Sequence, residues 1–407
     1  MNIGFMRKVD YFAGVPLCFA ASLYTWIADR LGRRPIERPR KALFIELSEM
    51  GSAILADPAM RKMRAAGAEL HFAIFAANAP SLRLLGTVPE ANVFTIRHDN
   101  LLTLAVDSLR FLAWCRRRRI DTAIDLELFS RYSALLGGLC GAARRAGFHA
   151  FHNEGLYRGA MLTRRVLYNP HRHIAKNFVA LVNAALAREE ELPFSKTRVE
   201  DEEVRLAQAP GDRAAEERMR TRVRERFPGY DPARHRIVVV NPNASDLLPQ
   251  RRWMPERFVE VMRGLLAADP TLLVVITGSP GERAQAERLR EAVADPRCLN
   301  FAGVHALEEL PALYRIAEVL LTNDSGAGHF SAVTGIRAFV LFGPETPALY
   351  GSLGNATPIY AGLACSPCVS AANHRRTPCT NNVCLQAIPA QAVLQQLRDA
   401  LAQGRPA

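Results

Sequence analysis

The chain has 407 residues, 49% of them hydrophobic and 23% charged, with 52 Lys and Arg against 40 Asp and Glu. At roughly 150 residues per domain this length suggests two or three domains, and the composition excludes a mainly disordered, collagenous or coiled-coil chain. A net charge of +12 suits an anionic membrane surface, a phosphorylated substrate or nucleic acid. Eight cysteines are too sparse for a disulfide-built secreted scaffold, which points to a reducing compartment.

Residues 1–41 read as a basic, apolar leader carrying eight basic and three acidic residues. Tyr11 to Ala28 is free of charge for eighteen residues but contains Pro16, and a bilayer span needs about 20 apolar residues. A small-x-small cleavage site is lacking, and Val15-Pro16-Leu17-Cys18 lacks the small residue a lipoprotein cysteine requires. The expectation is a helix lying in the membrane interface, its basic flanks on anionic headgroups. The alternatives are a helix packed on the first domain, a spanning segment or a signal peptide.

From Lys41 short apolar runs alternate with helical stretches. Strands are expected at Ala42–Ile45, Leu70–Phe75, Asn92–Thr95 and Ile120–Leu126, with helices at Gly51–Met63 and Leu101–Arg119. This first domain is read as residues 42–200 and a charge-rich connector as 201–235. A second series occupies 236–387. Its strands are Arg236–Val240, Leu272–Thr277, Cys298–Phe301, Val319–Leu321 and Ala338–Phe342. Its helices are Pro255–Ala267, Glu282–Val293, Leu307–Ile316 and Gly326–Thr334. A closing helix and tail fill 388–407. Such alternation means βαβ units and parallel sheets, and two α/β lobes imply a ligand cleft at the carboxyl ends of their strands.

Leu320-Leu321-Thr322-Asn323-Asp324-Ser325-Gly326-Ala327-Gly328-His329 is the most informative segment. A strand ends there and a helix begins, so free N–H groups and the positive helix end can receive an anion. Gly326 and Gly328 would let that anion approach the backbone. His329 follows Ser325 by one turn, which puts the two on one face; a plain N-cap with a surface histidine explains the same residues. Asn241-Pro242-Asn243-Ala244-Ser245 is a polar turn on the same rim. Arg251 and Arg252 bring guanidinium forks suited to phosphate. In Gly278-Ser279-Pro280-Gly281-Glu282, Glu282 can accept from ribose hydroxyls or serve only as a helix-start carboxylate. Together these strand ends describe a nucleotide-diphosphate pocket.

Asn323-Asp324-Ser325-Gly326-Ala327-Gly328-His329 resembles the D-[ST]-G-x-x-H signature of glycosyltransferase family 9, the ADP-heptose:lipopolysaccharide heptosyltransferases. Asn241–Ser245, Arg251–Trp253 and Gly278–Glu282 resemble segments that recur in that family in this order. The likeness runs from about Lys41 to the C-terminus and is stronger in the second lobe. It implies the GT-B fold, two Rossmann-like lobes whose parallel sheets face a central cleft. It also implies inverting, metal-independent transfer from an activated nucleotide sugar, most plausibly heptose from ADP-heptose, to a lipopolysaccharide core or another lipid-linked acceptor. By the same resemblance Ser245, Arg251, Glu282, Asp324, Ser325, Gly326 and His329 form the donor site. The enzyme would then work at the cytoplasmic face of the inner membrane, with the leader holding it to the anionic surface.

The first lobe departs from the family pattern. Where the family has a Gly-Asp pair whose aspartate is the acceptor's base, this chain has Gly51-Ser52, and Glu46 stands where a basic residue is usual. A serine hydroxyl cannot be a general base at neutral pH. Glu49 is the nearest carboxylate to take the role, and it reads equally as a solvated loop glutamate; Asp125 and Glu127 are the other candidates. Arg116 to Arg119 suit the C-terminal end of a helix dipole, and His171-Arg172-His173 with Lys176 resembles a family segment on the acceptor side.

Cys365-x2-Cys368-x10-Cys379-x4-Cys384, with His374 between, can bind a structural zinc, form one or two disulfides or stay as free thiols. No cofactor is required for catalysis on this reading. Cys18, Cys115, Cys140 and Cys298 sit in apolar runs and read as core. The chain lacks a G-x4-G-K-[ST] loop, an H-E-x-x-H pair and a G-x-S-x-G elbow, and its basic charge lacks the aromatic interleaving of a nucleic-acid face. A nucleotide-sugar epimerase or hydrolase of the same fold, and a binding protein that has lost its base, stand as alternatives.

Overall fold

The computed structural model describes residues 3–31, 36–151, 156–193, 195–370, 373 and 375–404. The chain divides into two compact units, residues 1–205 with 371–375, and residues 206–370 with 376–407.

The first unit is built on a six-stranded parallel sheet in the order β3-β2-β1-β4-β5-β6. The strands are β1 Lys41–Ile45, β2 Glu69–Phe75, β3 Val93–Ile96, β4 Thr122–Asp125, β5 Arg144–Phe148 and β6 Arg164–Val166. Its helices are α1 Ile3–Phe12, α2 Gly14–Arg30, α3 Met50–Leu55, α4 Asp57–Ala65, α5 Pro80–Arg83, α6 Leu101–Arg118, α7 Arg131–Leu139 and α8 Ile174–Leu186. Helices cover both faces, so the central strands are apolar on both sides: Phe44 of β1 lies level with Phe72 of β2 and Ile124 of β4, and all three are buried.

The second unit repeats the plan. Its strands are β7 Arg236–Asn241, β8 Leu272–Ile276, β9 Cys298–Asn300, β10 Val319–Asn323, β11 Arg337–Phe342 and β12 Ala356–Tyr360, in the order β12-β11-β10-β7-β8-β9. Its helices are α9 Arg213–Arg226, α10 Pro255–Ala268, α11 Arg283–Val293, α12 Leu310–Ile316, α13 Gly326–Ser331, α14 Pro347–Tyr350, α15 Val383–Gln386 and α16 Ala390–Ala402. A core of Val238, Val240, Trp253, Phe258, Leu321 and Leu341, among others, lies between this sheet and its helices. In each unit the first strand pairs with both the second and the fourth, so the order reverses between β1 and β4 and between β7 and β10. Ligands of open α/β sheets bind at such reversals, beyond the carboxyl ends of the strands.

The elements depart from the expected ones at four places. The helix expected over Gly51–Met63 breaks between α3 and α4, because Pro58 lacks the N–H that would continue it. The helix expected over Gly326–Thr334 stops at Ser331. Strand β5 opens with Arg144 and Arg145, whose guanidinium groups are buried and donate to backbone carbonyls of Ala185 and Met161; two arginines hide a strand from any hydropathy pattern. Within residues 201–235, read above as a connector, α9 packs against α12 in the second unit.

Candidate functional site

At the β7–β10 reversal, polar side chains bind the strand ends to one another. Asn323 accepts from the Trp253 N–H at 3.1 Å and donates to the Pro242 carbonyl at 2.7 Å. Asn243 donates to the Thr277 carbonyl at 3.1 Å, and Asn241 donates to the Thr277 hydroxyl at 3.2 Å. This net fixes the loops after β7, β8 and β10, and it presents Arg251 and Asp324. Arg251 ends a short 3-10 turn and is buried, as is Asp324. Arg251 Nη1 lies 3.6 Å from Asp324 Oδ2, while the buried Nε of Arg251 makes no hydrogen bond. A buried donor without an acceptor is costly, and a diphosphate oxygen would satisfy it.

Ser325 sits at the start of α13 in extended backbone without capping it by its side chain; its hydroxyl lies 3.2 Å from that of Thr322. His329 is half-buried on the first turns of the same helix. A Cβ on Gly328 would come within 3.2 Å of Val340 on β11, so its missing side chain serves helix-to-sheet packing; one on Gly326 would come within 3.1 Å of the Phe330 ring of the same helix. Ser245 accepts from the Leu247 N–H at 3.2 Å. Glu282 accepts from the Ser279 N–H at 2.6 Å in a capping box, so this carboxylate already has a local duty on the rim.

At the β1–β4 reversal four carboxylates gather. Glu127 Oε1 accepts from the N–H groups of Leu47 and Ser48 at 2.9 and 3.0 Å and from the Ser48 hydroxyl at 2.7 Å. Burial raises the pKa of Glu127. Asp125 accepts from the Glu127 N–H and the Ser133 hydroxyl and pairs with Arg158; burial raises its pKa despite that arginine. Glu46 is buried, and burial followed by the charges of Glu127, Glu49 and Asp125 pushes its carboxyl well above the ordinary range. Glu49 alone is partly open to solvent. It accepts from the Ser52 hydroxyl at 3.2 Å and pairs with Arg375. The Ser52 hydroxyl thus orients Glu49, three residues earlier in the chain.

Sequence reasoning did not find Arg158 or Arg375. Arg375 stands within a basic stretch between cysteines, and Arg158 follows a segment with no periodicity. The Arg116–Arg119 run serves the end of α6: Arg116 donates to Leu112 O, Arg118 donates to Ala91 O, and Arg119 adopts the left-handed cap with φ 57°. His173 caps α8 by accepting from the Ala175 N–H. Arg172 and Lys176 line a cavity of about 510 Å³ in which Lys176 pairs with Asp201 at 2.7 Å.

Structural zinc is one of three readings of the cysteine cluster; among the described residues no three His, Cys, Asp or Glu side chains converge to hold a metal. Cys365 is exposed, Cys368 turns to the Thr377 hydroxyl and Cys379 to Asn381. Cys384 is buried, and burial raises its pKa, with Cys368 and Cys379 near enough to add to the effect. His374 lies outside the described residues.

Two Rossmann-type units, each with polar groups gathered at its strand-order reversal, define the GT-B class of proteins. Residues 109–377 match the model of glycosyltransferase family 9 (heptosyltransferase), and the chain belongs to that family. It is 22% identical over 170 residues to lipooligosaccharide heptosyltransferase 2 of Campylobacter jejuni, covering 41% of this chain and 51% of that protein. It is 28% identical over 102 residues to lipopolysaccharide heptosyltransferase 2 of Escherichia coli, covering 24% of this chain and 29% of that one. The chain thus spans about half, or less, of the length of these curated relatives. Among solved structures it resembles E. coli ADP-heptose lps heptosyltransferase II with a TM-score of 0.67 at 20% identity, covering 89% of this chain and 99% of that one. It resembles the family 9 glycosyltransferase of Veillonella parvula with a TM-score of 0.66 at 15% identity, covering 90% and 99%.

Proposed function

We propose that this protein is an inverting glycosyltransferase that moves heptose from ADP-heptose onto a lipopolysaccharide core or another lipid-linked acceptor at the cytoplasmic face of the inner membrane. The observation that carries the reading is Arg251, buried at the β7–β10 reversal with an Nε that lacks a hydrogen-bond partner. Membership of family 9 supports reading that anion as the diphosphate of a nucleotide sugar.

In this mechanism the acceptor hydroxyl attacks the anomeric carbon as the bond from that carbon to the diphosphate oxygen breaks. The hydroxyl proton passes to Glu49, and ADP leaves with its negative charge held by Arg251 and the start of α13. Preorganised donors of this kind stabilise a leaving anion without a metal. Three observations support Glu49 as the base. It alone of the four carboxylates is open to solvent, Ser52 orients it, and Asp125 and Glu127 are occupied with Arg158 and the β1–α3 loop. Exposed apolar residues of α1 and α2 support placement at a membrane. Among the described residues no single helix is long and apolar enough to cross one, although α1 and α2, bent by 42° at their junction, meet that test as a pair.

Titration calorimetry with ADP, UDP and GDP tests the pocket. ADP binding that is lost in Arg251→Leu supports it. Preference for UDP or GDP moves the donor away from ADP-heptose, and no binding to any of the three refutes the transferase reading.

A further inference from the structure

Helix α2 is built inside out for a water-soluble protein. Its buried stripe is Gly14, Cys18, Ala21 and Thr25, small residues spaced so that they share one face. That stripe lies on α7: a Cβ on Gly14 would meet Arg131 Cδ at 2.9 Å, and Cys18 and Ala21 pack with Met161 beside Leu135 and Leu139. The large apolar residues point outward instead, with Phe19 67%, Leu23 53% and Trp26 51% exposed. Helix α1 adds Tyr11 and Phe12, also exposed.

The same inversion occurs on α6, which no leader argument reaches. Leu102, Val106 and Leu109 follow one another at helical spacing, and Leu102 and Leu109 are 76% and 68% exposed, while Asp107 on the same helix is buried. Helices α1, α2, α6 and α7 touch in series, so these residues belong to one layer of the first unit. Such an accumulation of outward apolar side chains marks an interaction surface.

Charge identifies the partner. Helices α1, α2 and α6 contain three acidic residues, Asp10, Asp29 and Asp107. Each turns to a cation of the body: Asp10 to Arg131, Asp29 to Arg145 and Asp107 to Arg97. Lys8, Arg30, Arg110, Arg116 and Arg117 remain exposed, and Arg30 lies 3.9 Å from the centre of the Trp26 ring. Apolar and aromatic side chains fringed by cations, with each acid neutralised by an arginine, complement an anionic lipid bilayer.

The layer also has a defined direction. Helix α6 begins at the carboxyl end of β3. Asp10 near the end of α1 accepts from the backbone N–H groups of Arg131 and Tyr132, where α7 begins beyond β4. The apolar surface therefore borders the strand-end rim that carries Glu49.

We propose that α1, α2 and α6 form one docking face for an anionic phospholipid bilayer, holding the Glu49 rim beside the lipid surface where a lipid-anchored acceptor presents its sugar. The last part rests on the transferase reading; the docking itself does not.

Co-sedimentation of the full chain with phosphatidylglycerol/phosphatidylethanolamine vesicles tests it, with phosphatidylcholine vesicles as control. The expected result is binding to the anionic vesicles that weakens with salt. Leu102→Ser/Leu109→Ser should lower partitioning about tenfold or more, as should Phe19→Ser/Trp26→Ser. Because these side chains are exposed, the variants should unfold at the wild-type temperature. Transfer to a water-soluble, delipidated acceptor should be unchanged in them and transfer to vesicle-embedded acceptor reduced. Wild-type protein that binds vesicles but transfers no sugar to any acceptor would sustain the docking face and refute the transferase reading. Three results would overturn the docking face: unchanged vesicle binding in the α6 variant, binding that resists alkaline carbonate and ignores the α6 substitutions, as a spanning α1–α2 pair requires, or a wild-type dimer that the α6 substitutions dissociate.

Discussion

Replacing Arg251 by leucine separates its two duties. In the folded protein its guanidinium lies 3.6 Å from the buried Asp324 carboxylate. Removing one partner of a buried ion pair costs about 3–5 kcal/mol, because the other charge stays in low dielectric without its counterion. For a unit of about 200 residues each kcal/mol lowers Tm by about 2–4 °C, so Arg251→Leu should melt roughly 6–20 °C below wild type. On the proposed function the same substitution also removes charge-assisted hydrogen bonds to the diphosphate, worth about 1.5–3 kcal/mol each, or roughly ten- to 150-fold in ADP affinity. The double variant Arg251→Leu/Asp324→Leu divides these effects. With both charges gone, an apolar pair can be nearly as stable as the ion pair, so most of the lost Tm should return while ADP affinity stays low. Differential scanning calorimetry and titration calorimetry on the four proteins complete the cycle. A single Arg251→Leu variant with wild-type Tm and wild-type ADP affinity would refute both the burial argument and the assignment of the phosphate site.

Other substitutions probe the first unit. Glu127→Leu strips the acceptor from two backbone N–H groups and a hydroxyl and should destabilise by about 3–6 kcal/mol; Glu127→Gln keeps an oxygen there and should stay within about 1 kcal/mol of wild type in urea unfolding. Glu49→Gln should lower kcat about 10²–10⁴-fold with ADP affinity unchanged, and Ser52→Ala, which removes only the orienting hydrogen bond, should cost about tenfold or less. Equal activity of Glu49→Gln and wild type would eliminate Glu49 as the base. Glu46 sets a pH dependence. Its native pKa is raised, so above the unfolded value of about 4.3 the native state holds a proton that the unfolded chain has released, and stability falls as pH rises through that window. Urea unfolding at pH 5 and pH 8 should show a smaller loss for Glu46→Gln than for wild type, and an identical slope would show that Glu46 is not protonated in the fold.

The strands legible in the sequence are those with uninterrupted apolar runs, because β1, β2, β8 and β11 are covered on both faces. Strand β5 was missed because its arginines are solvated internally by carbonyls, and α9 because a helix rich in charge resembles a connector. In the second unit the strand-end residues were legible because a strand, an acid, a cap and glycines fall within one short segment. Their partnerships were not: that Arg251 faces Asp324, or that Glu282 closes a capping box, depends on where separate loops meet. The glycines show the same limit from the other side, since a requirement for no Cβ does not reveal whether an anion or Val340 imposes it.

The two reversals are electrostatic opposites. Around β1 and β4 the carboxylates outnumber their cations, and burial favours the protonated forms of Glu46, Asp125 and Glu127. Glu49 is the one of the four that is partly open to solvent. Around β7 and β10 the balance turns on a buried arginine with donor capacity to spare. The proposed mechanism draws its proton acceptor from the first unit and its anion holder from the second, the two functions that direct displacement of a diphosphate by a hydroxyl requires. In the proposed mechanism the carboxylate at the β1 rim is Glu49, which Ser52, three residues later, holds by a hydrogen bond and which stays partly open to solvent.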